Sequence, residues 1–423
     1  VRGEEKQEVA MGWMRKAGVA AAVVAAGASV AQAQTKQEVT GPISTYWMSA
    51  QTTTGMAAMM GGMGGPGGKR PGMGAMMGMM MGGGLSGGGQ AQKSLRLELG
   101  SSRTAAGPSA DHLPPAGLGA GASLPLLTPK VQRREEEPGQ PPQDFQKPRG
   151  RMLIFWGCGE RAGPGQPVVI DFSKMTPENL RAGKLPPGFE ALSKGLAITP
   201  MRGPAPGRNA TYGEWPNERT RTNVPAQGSL VGEHAVKGNY TPDIQFSLNP
   251  QQDFMAPLRL RTGTAPSGAA MLNWGGVPRA QAYLATAIGG GDGETVAVWT
   301  SSEIQASAFS IPEYLSPSDI TRLVTQKALM APATTSCAIP REMVKAAPQA
   351  MVSLAAYGPE ANFVYPPRPA DPKVAWNQQW QVKVRYRSAT SALLGMEDMG
   401  GMGGGMGGDE GEGQRPPFRI PRF

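Results

Sequence analysis

Residues 56–89 read MAAMMGGMGGPGGKRPGMGAMMGMMMGGGLSGGG, and ten of the chain's 25 methionines sit in this tract among glycines. No apolar period runs through it, so neither an amphipathic helix nor a half-buried strand is encoded there. Glycine in a helix interior costs about 1 kcal/mol relative to alanine. The flanks are different. Thr40 to Thr54 is rich in Thr, Ile, Tyr and Trp, which favour strands. KSLRLELG alternates Leu95, Leu97 and Leu99 with Arg96 and Glu98, the period of a strand with one buried face. The tract therefore reads as a long loop joining two strands.

The same restriction extends over the chain. Gly 60 and Pro 40 among 423 residues leave little room for long helices, and 39% hydrophobic residues is a low share for a chain that packs throughout. Short strands, turns and irregular segments fit better. The net charge is +9, but no cluster of five or more Lys and Arg occurs, so the surface reads as generally basic, with no nucleic-acid face.

MGWMRKAGVAAAVVAAGASVAQAQ, from Met11, has the three parts of a secretory signal. Arg15 and Lys16 supply the positive start, Ala17 to Ser29 the short apolar run, and Ala31-Gln32-Ala33 the cleavage site. Residues 11–33 are expected to be removed after Ala33, leaving Gln34 first, and residues 1–10 are expected to be an over-extended start. No cysteine stands directly after the cleavage site, so a lipoprotein anchor is not expected, and no later stretch reaches the roughly 20 apolar residues of a membrane span. The expectation is a periplasmic or secreted protein with no transmembrane segment after cleavage.

Five regions follow. Residues 34–104 hold the two strands and the Met/Gly loop (56–89). Residues 105–150 read as a Pro/Gly linker. Residues 151–262 are β-rich: Met152 to Trp156 is a continuous apolar run, QPVVIDFSKM a second, and DIQFSLNP and APLRLRT alternate, whereas RNATYGEWPN reads as an exposed aromatic loop. Residues 263–390 carry more strands, with Asp292-Gly293 marking a hairpin turn and QWQVKVRYRS alternating cleanly. Residues 391–423 repeat the Met/Gly composition and are expected to be a disordered tail. Ser316 followed by Pro317 opens the one short helix expected, over 316–329.

PSGAAMLNWGGVPRAQAYLATAIGGGDGETVAVWTSSE resembles part of a fibronectin type III domain. The likeness lies in Leu272-x-Trp274 and then Val277, Ala280 and Tyr283. AMVSLAAYGPEANF is similar to that family's late strand, and QWQVKVRYRS would close the module. The resemblance covers roughly 266–388. It implies an immunoglobulin-like β-sandwich with Trp274 and Tyr283 packed between two sheets. The fold class expected is thus mainly β, built of antiparallel sandwich modules joined by Gly/Pro linkers.

Chemistry is sparse. His112 sits in the linker and His234 at a strand–loop boundary, and no zinc or metalloprotease spacing occurs. Gly84-Leu85-Ser86-Gly87-Gly88 matches a nucleophile elbow in letters but lacks the strand and helix that an elbow needs. Glu214, Glu218, Tyr212 and Trp215 offer carboxylates and rings for a glycan, with Tyr212 and Trp215 as stacking candidates. Met73, Met76, Met77 and Met80 offer thioethers, soft ligands that suit Cu(I). Cys158 and Cys337, the only cysteines, permit one bridge in an oxidising compartment. The leading expectation is an exported, non-enzymatic binding or scaffolding protein whose partner is an envelope protein or glycan. A glycan-acting enzyme and periplasmic copper handling are the alternatives.

Overall fold

The computed structural model describes residues 37–58, 91–129, 150–174, 184–185, 187–190, 196–199, 201–220, 222–290, 294–305 and 311–395. The expected signal segment, Met73, Met76, Met77 and Met80, the Gly84–Gly88 stretch, the Asp292-Gly293 turn and the tail from 396 lie outside these residues.

Alternating sequences build one dominant element, a nine-stranded sheet. From edge to edge it runs β7 (Val168–Asp171), β6 (Arg151–Trp156), β14 (Thr295–Thr300), β13 (Ala282–Gly290), β16 (Met351–Tyr365), β18 (Trp380–Leu393), β2 (Ser44–Thr54), β3 (Gln92–Ser101) and β8 (Thr211–Trp215). Most neighbours are antiparallel, as hairpins give. β6 with β14, and β18 with β2, are parallel. These two seams join strands that no hairpin connects.

Period two sorts each strand between two faces. Tyr46, Met48 and Ala50 of β2, Leu97 and Leu99 of β3, Val382, Val384 and Tyr386 of β18, and Tyr283, Ala285 and Ala287 of β13 enter one continuous core on the inner face. Residues one step away face outward. Ala282 and Leu284 pack under α1 (Pro317–Thr325), and Met152, Ile154 and Val298 form a third cluster.

Two smaller sheets cover the inner face. One has the order β10 (Ile244–Leu248), β9 (Gly232–Gly238), β4 (Ala110–Leu113), β5 (Leu124–Pro125). It lies over the β2, β3 and β8 side, with His112 of β4 stacked on Tyr46 at 5.6 Å. The other has the order β11 (Leu260–Thr264), β12 (Ala270–Trp274), β15 (Ser336–Ile339). It lies over the other half, and Trp274 meets Tyr283 across the gap at 5.6 Å. A parallel pair, β1 (Val39–Thr40) with β17 (Trp376–Asn377), sits beside the tip joining β16 to β18. A second short helix, α2 (Arg341–Ala346), follows β15.

Several expectations are corrected here. Residues 105–150 were expected to be a linker, yet β4 and β5 lie within them and pair into the four-stranded cover. Pro114, Pro115, Gly117, Gly119 and Gly121 occupy the connection between β4 and β5, and Pro125 lies in β5 itself. RNATYGEWPN forms β8 and the turns around it, and both Tyr212 and Trp215 are buried. Linkers do not separate the β modules: strands from 34–104, 151–262 and 263–390 share one sheet. The expected helix starts where Ser316 caps it, its Oγ accepting from Asp319 N at 3.1 Å, but α1 ends at Thr325, and α2 is additional.

Cys158 and Cys337 form a disulfide, Cα–Cα 5.1 Å, across 179 residues. It clips the segment after β6 along the free edge of β15. Gly159 N donates to Ala338 O at 3.0 Å and Arg341 N to Glu160 O at 3.1 Å. An edge that would otherwise present unpaired backbone groups is thereby covered.

Candidate functional site

The outer face of β8, β3, β2, β18 and β16 carries the densest set of charged and aromatic groups described. Strand alternation places them there. In β18 the polar set Lys383, Arg385 and Arg387 faces out because Val382, Val384 and Tyr386 face in. In β3, Arg96 and Glu98 face out for the same reason, and in β8 so do Tyr212 and Glu214.

Strand β16 would break this pattern without one irregularity. Its register shifts between Tyr357 and Glu360, opposite Arg387 and Arg385. Two residues, Gly358 and Pro359, thus oppose one, Tyr386, the signature of a bulge. Pro359 has no N–H for the ladder. Gly358 allows the close approach, since a Cβ there would stand 2.5 Å from Met255 Sδ and 2.8 Å from Tyr386 O. The bulge keeps Ala356 and Ala361 in the core while Tyr357 and Glu360 both face out.

Arg385 is the centre. Its guanidinium lies between two rings, 4.5 Å from the Trp47 centroid and 4.5 Å from that of Tyr314. Its Nε donates to Ser49 Oγ at 2.8 Å, and a second nitrogen is 3.5 Å from Glu98. Each stacked ring adds about 0.5–2 kcal/mol as the site is desolvated. Burial lowers the Arg385 pKa, and Tyr314, Glu98 and Glu360 oppose that fall. Burial likewise pushes the Tyr314 phenol up to about 12. The Trp47 ring is covered from another side by Gly203, where a Cβ would stand 2.6 Å from it.

Two carboxylates face each other beside this centre. Glu98 and Glu214 are register partners across β3 and β8. Like charges directly opposite would repel, but Arg96 lies 3.1 Å from Glu98 and 3.5 Å from Glu214. Tyr212 donates to Glu214 at 2.8 Å. Burial, then that hydrogen bond, raises the Tyr212 pKa, so the phenol stays a protonated donor. Further along, Lys383 pairs with Glu360, and Arg387 lies 3.4 Å from Glu313. Arginines and acids alternate, so each charge finds its opposite. The arrangement fastens five strands together and presents two ends to solvent, Arg96 and Glu313, at 59% and 76% side-chain exposure.

The stacking candidates part company here. Tyr212 joins this cluster, whereas Trp215 points to the opposite face and is 3% exposed in the core. Glu214 joins it, and Glu218 lies exposed in the turn after β8. Glu98, Trp47, Tyr314 and Arg385 were missed as a group. The polar faces of KSLRLELG and QWQVKVRYRS carried part of the signal, but only pairing through β2 brings them together. Among the described residues no group of three or more His, Cys, Asp or Glu could hold a metal ion.

The two histidines, read as isolated, meet in the core. His234 Nδ1 is 3.2 Å from His112 Nε2, and His234 Nε2 is 2.7 Å from Leu230 O. At the far end of β2 from Tyr46, the roots of the two Met/Gly tracts are neighbours. Thr54 pairs with Thr390, and Gly55 bridges to Ser391.

Comparison with protein-family models finds no match, and comparison with curated proteins finds no matching relative. Among the described residues no helix is long and apolar enough to cross a membrane.

Proposed function

We propose that the chain is an exported, non-enzymatic binding or scaffolding protein of the cell envelope, with a fibronectin III-like sandwich over residues 266–388. One observation carries this reading: the strand order. Sheet β11-β12-β15 faces β14-β13-β16-β18, seven strands in two layers with a tryptophan and a tyrosine between them, β11 lying just ahead of residue 266 and β18 running on past 388. Immunoglobulin-class sandwiches share this architecture. The outer cluster supports a recognition role over catalysis, because its acids are engaged by arginines and by a phenol that stays protonated. Arg96 and Glu313 are the groups it offers to a partner. The disulfide suits an oxidising compartment. The test is chemical crosslinking in envelope fractions of the source cell, with the mature N-terminus read by mass spectrometry. The expected results are a chain starting at Gln34 and a crosslinked partner lost in the double variant Arg96→Glu, Glu313→Arg. A cytoplasmic, uncleaved chain, or capture unchanged by that variant, overturns it.

A second reading, copper handling, is favoured by the adjacent roots of the two Met/Gly tracts. Strands β2 and β18 run parallel, so the strand ends from which the two tracts continue in sequence lie side by side, and thioether sulfur is a soft ligand that suits Cu(I). Titration with Cu(I) against a competing chelator tests it. Sub-micromolar binding that is lost when residues 73–81 are deleted supports copper handling. Absence of competition removes it.

A further inference from the structure

The chain has two histidines, 122 residues apart in sequence, and the fold brings them into contact in the interior between the four-stranded cover and the shared sheet. His112 is 0% and His234 1% exposed. Rings from five strands line up around them: Tyr46 of β2, His112 of β4, His234 of β9, Phe246 of β10 and Phe363 of β16, each neighbour 5.0–5.6 Å from the next. This ladder fastens cover to sheet.

Its hydrogen bonds define where the protons are. A carbonyl only accepts, so His234 Nε2 carries a proton toward Leu230 O. In a neutral ring Nδ1 is then an acceptor, and His112 Nε2 must be the donor to it. That leaves His112 Nδ1 as a bare nitrogen, buried and without a hydrogen-bond partner. A proton added there would put a charged N–H where nothing accepts it. A proton added at His234 Nδ1 would set two donors against each other.

The surrounding groups do not offset burial: the Leu230 carbonyl and Glu233 favour a charge on His234, but burial outweighs both. β2 contributes the Tyr46 phenol, and Tyr240 stands nearby. Both are raised by burial and so are neutral. β10 and β16 contribute phenylalanines. The nearest acids belong to the histidines' own strands: Glu233 on β9 is exposed on the other face, and Asp111 on β4 accepts from Ser123 at 2.7 Å. Lys237, also on β9, is exposed.

We propose that the His112–His234 pair is an acid-sensitive fastening, which releases the four-stranded cover in acid while the disulfide-tied half of the molecule stays closed. Burial lowers both histidine pKa values, His112 well below its ordinary value, with His234 adding to the fall there. A free histidine titrates near 6.5. Below that pH the opened cover binds protons that the closed one does not, so opening gains up to about tenfold per pH unit for each histidine. Above it the advantage vanishes and the cover is fully held.

The experiment uses the mature chain with its disulfide intact. With only two histidines, their ring signals can be followed by NMR from pH 8 to pH 4, alongside hydrogen exchange in β4 and β9 and in β12 and β15. Expected are rings that stay neutral below pH 6 in the closed form, and protection in β4 and β9 that falls at least tenfold between pH 6.5 and 5, after correction for intrinsic exchange, while β12 and β15 hold. In the double variant His112→Phe, His234→Leu that difference disappears. In the variant His112→Gln, chosen to keep a donor to His234, about half of the slope remains. Either histidine titrating near 6.5 in the closed form, or equal loss of protection in both halves, overturns the proposal.

Discussion

The two covers sit on one sheet but are fastened by different means. The three-stranded cover is joined to the sheet by a covalent bond and by large rings: Cys158–Cys337, the contact of Trp274 with Tyr283, and the fully buried Trp299, whose Nε1 donates to Gly157 O at 2.9 Å. The four-stranded cover has no cysteine. It is held by apolar contacts and by buried polar chains. Thr241 donates to Ser44 at 2.9 Å, Ser44 to Ser101 at 3.3 Å, and Ser101 to Tyr240 O at 2.6 Å, beside the histidine pair. Buried hydrogen bonds add little net stability each but cost more when one partner is lost. One half is therefore sensitive to reduction and the other to pH and to loss of single hydroxyls.

The segment between the covers is pinned to the shared sheet. Thr52 of β2 donates to Met255 O at 2.7 Å and Ser388 of β18 to Ala256 O at 2.9 Å. Arg279, with φ 68°, spreads its guanidinium over the carbonyls of Gln251, Asp253 and Phe254. A non-glycine residue in that region costs of order 1–3 kcal/mol, and three hydrogen bonds offset it.

The contrast can be broken most severely at the disulfide. Replacing Cys158 and Cys337 by serine should destabilise the chain by about 5 kcal/mol in the chain-entropy account of a loop this long. Denaturant titration should show the loss, and hydrogen exchange should place it in β12 and β15 first. Equal loss in β4 and β9 would mean that the halves unfold as one. A smaller change, Ser101→Ala, should cost about 1–3 kcal/mol, because Tyr240 O and Arg103 N each lose a buried partner. It should leave β12 and β15 protected. The smallest, Ser316→Ala, removes the cap of α1 on the outer face and should cost about 1 kcal/mol by thermal unfolding without moving either cover.

Local periodicity made most strands of the shared sheet readable, because a half-buried strand must alternate whatever it pairs with. The disulfide was readable because only two cysteines exist. β4 and β5 were not, since four and two residues between prolines and glycines are too short for a period to emerge. The outer cluster was half readable. Arg96 and Glu98 on β3, and Arg385 on β18, show as polar faces, yet their meeting depends on β2 lying between them, 336 residues from β18. The bulge at Gly358–Pro359 hid the partnership of Glu360 with Arg385, since simple counting sends Tyr357 and Glu360 to opposite faces. The histidine pair gave no sequence signal, because contact across two layers leaves no spacing to read.

The parallel seam between β2 and β18 also sets an order of assembly. Of the described strands of the sheet, β2 is the first to leave the ribosome and β18 the last. Until β18 arrives, the full length of β2 from Ser44 to Thr54 stands with one row of backbone groups open. Pairings this distant in sequence are slow to form, and an open edge invites pairing with another chain. During synthesis the growing chain thus carries this open border until the last strand of the sheet docks, much longer than the edge of β6 waits for β14.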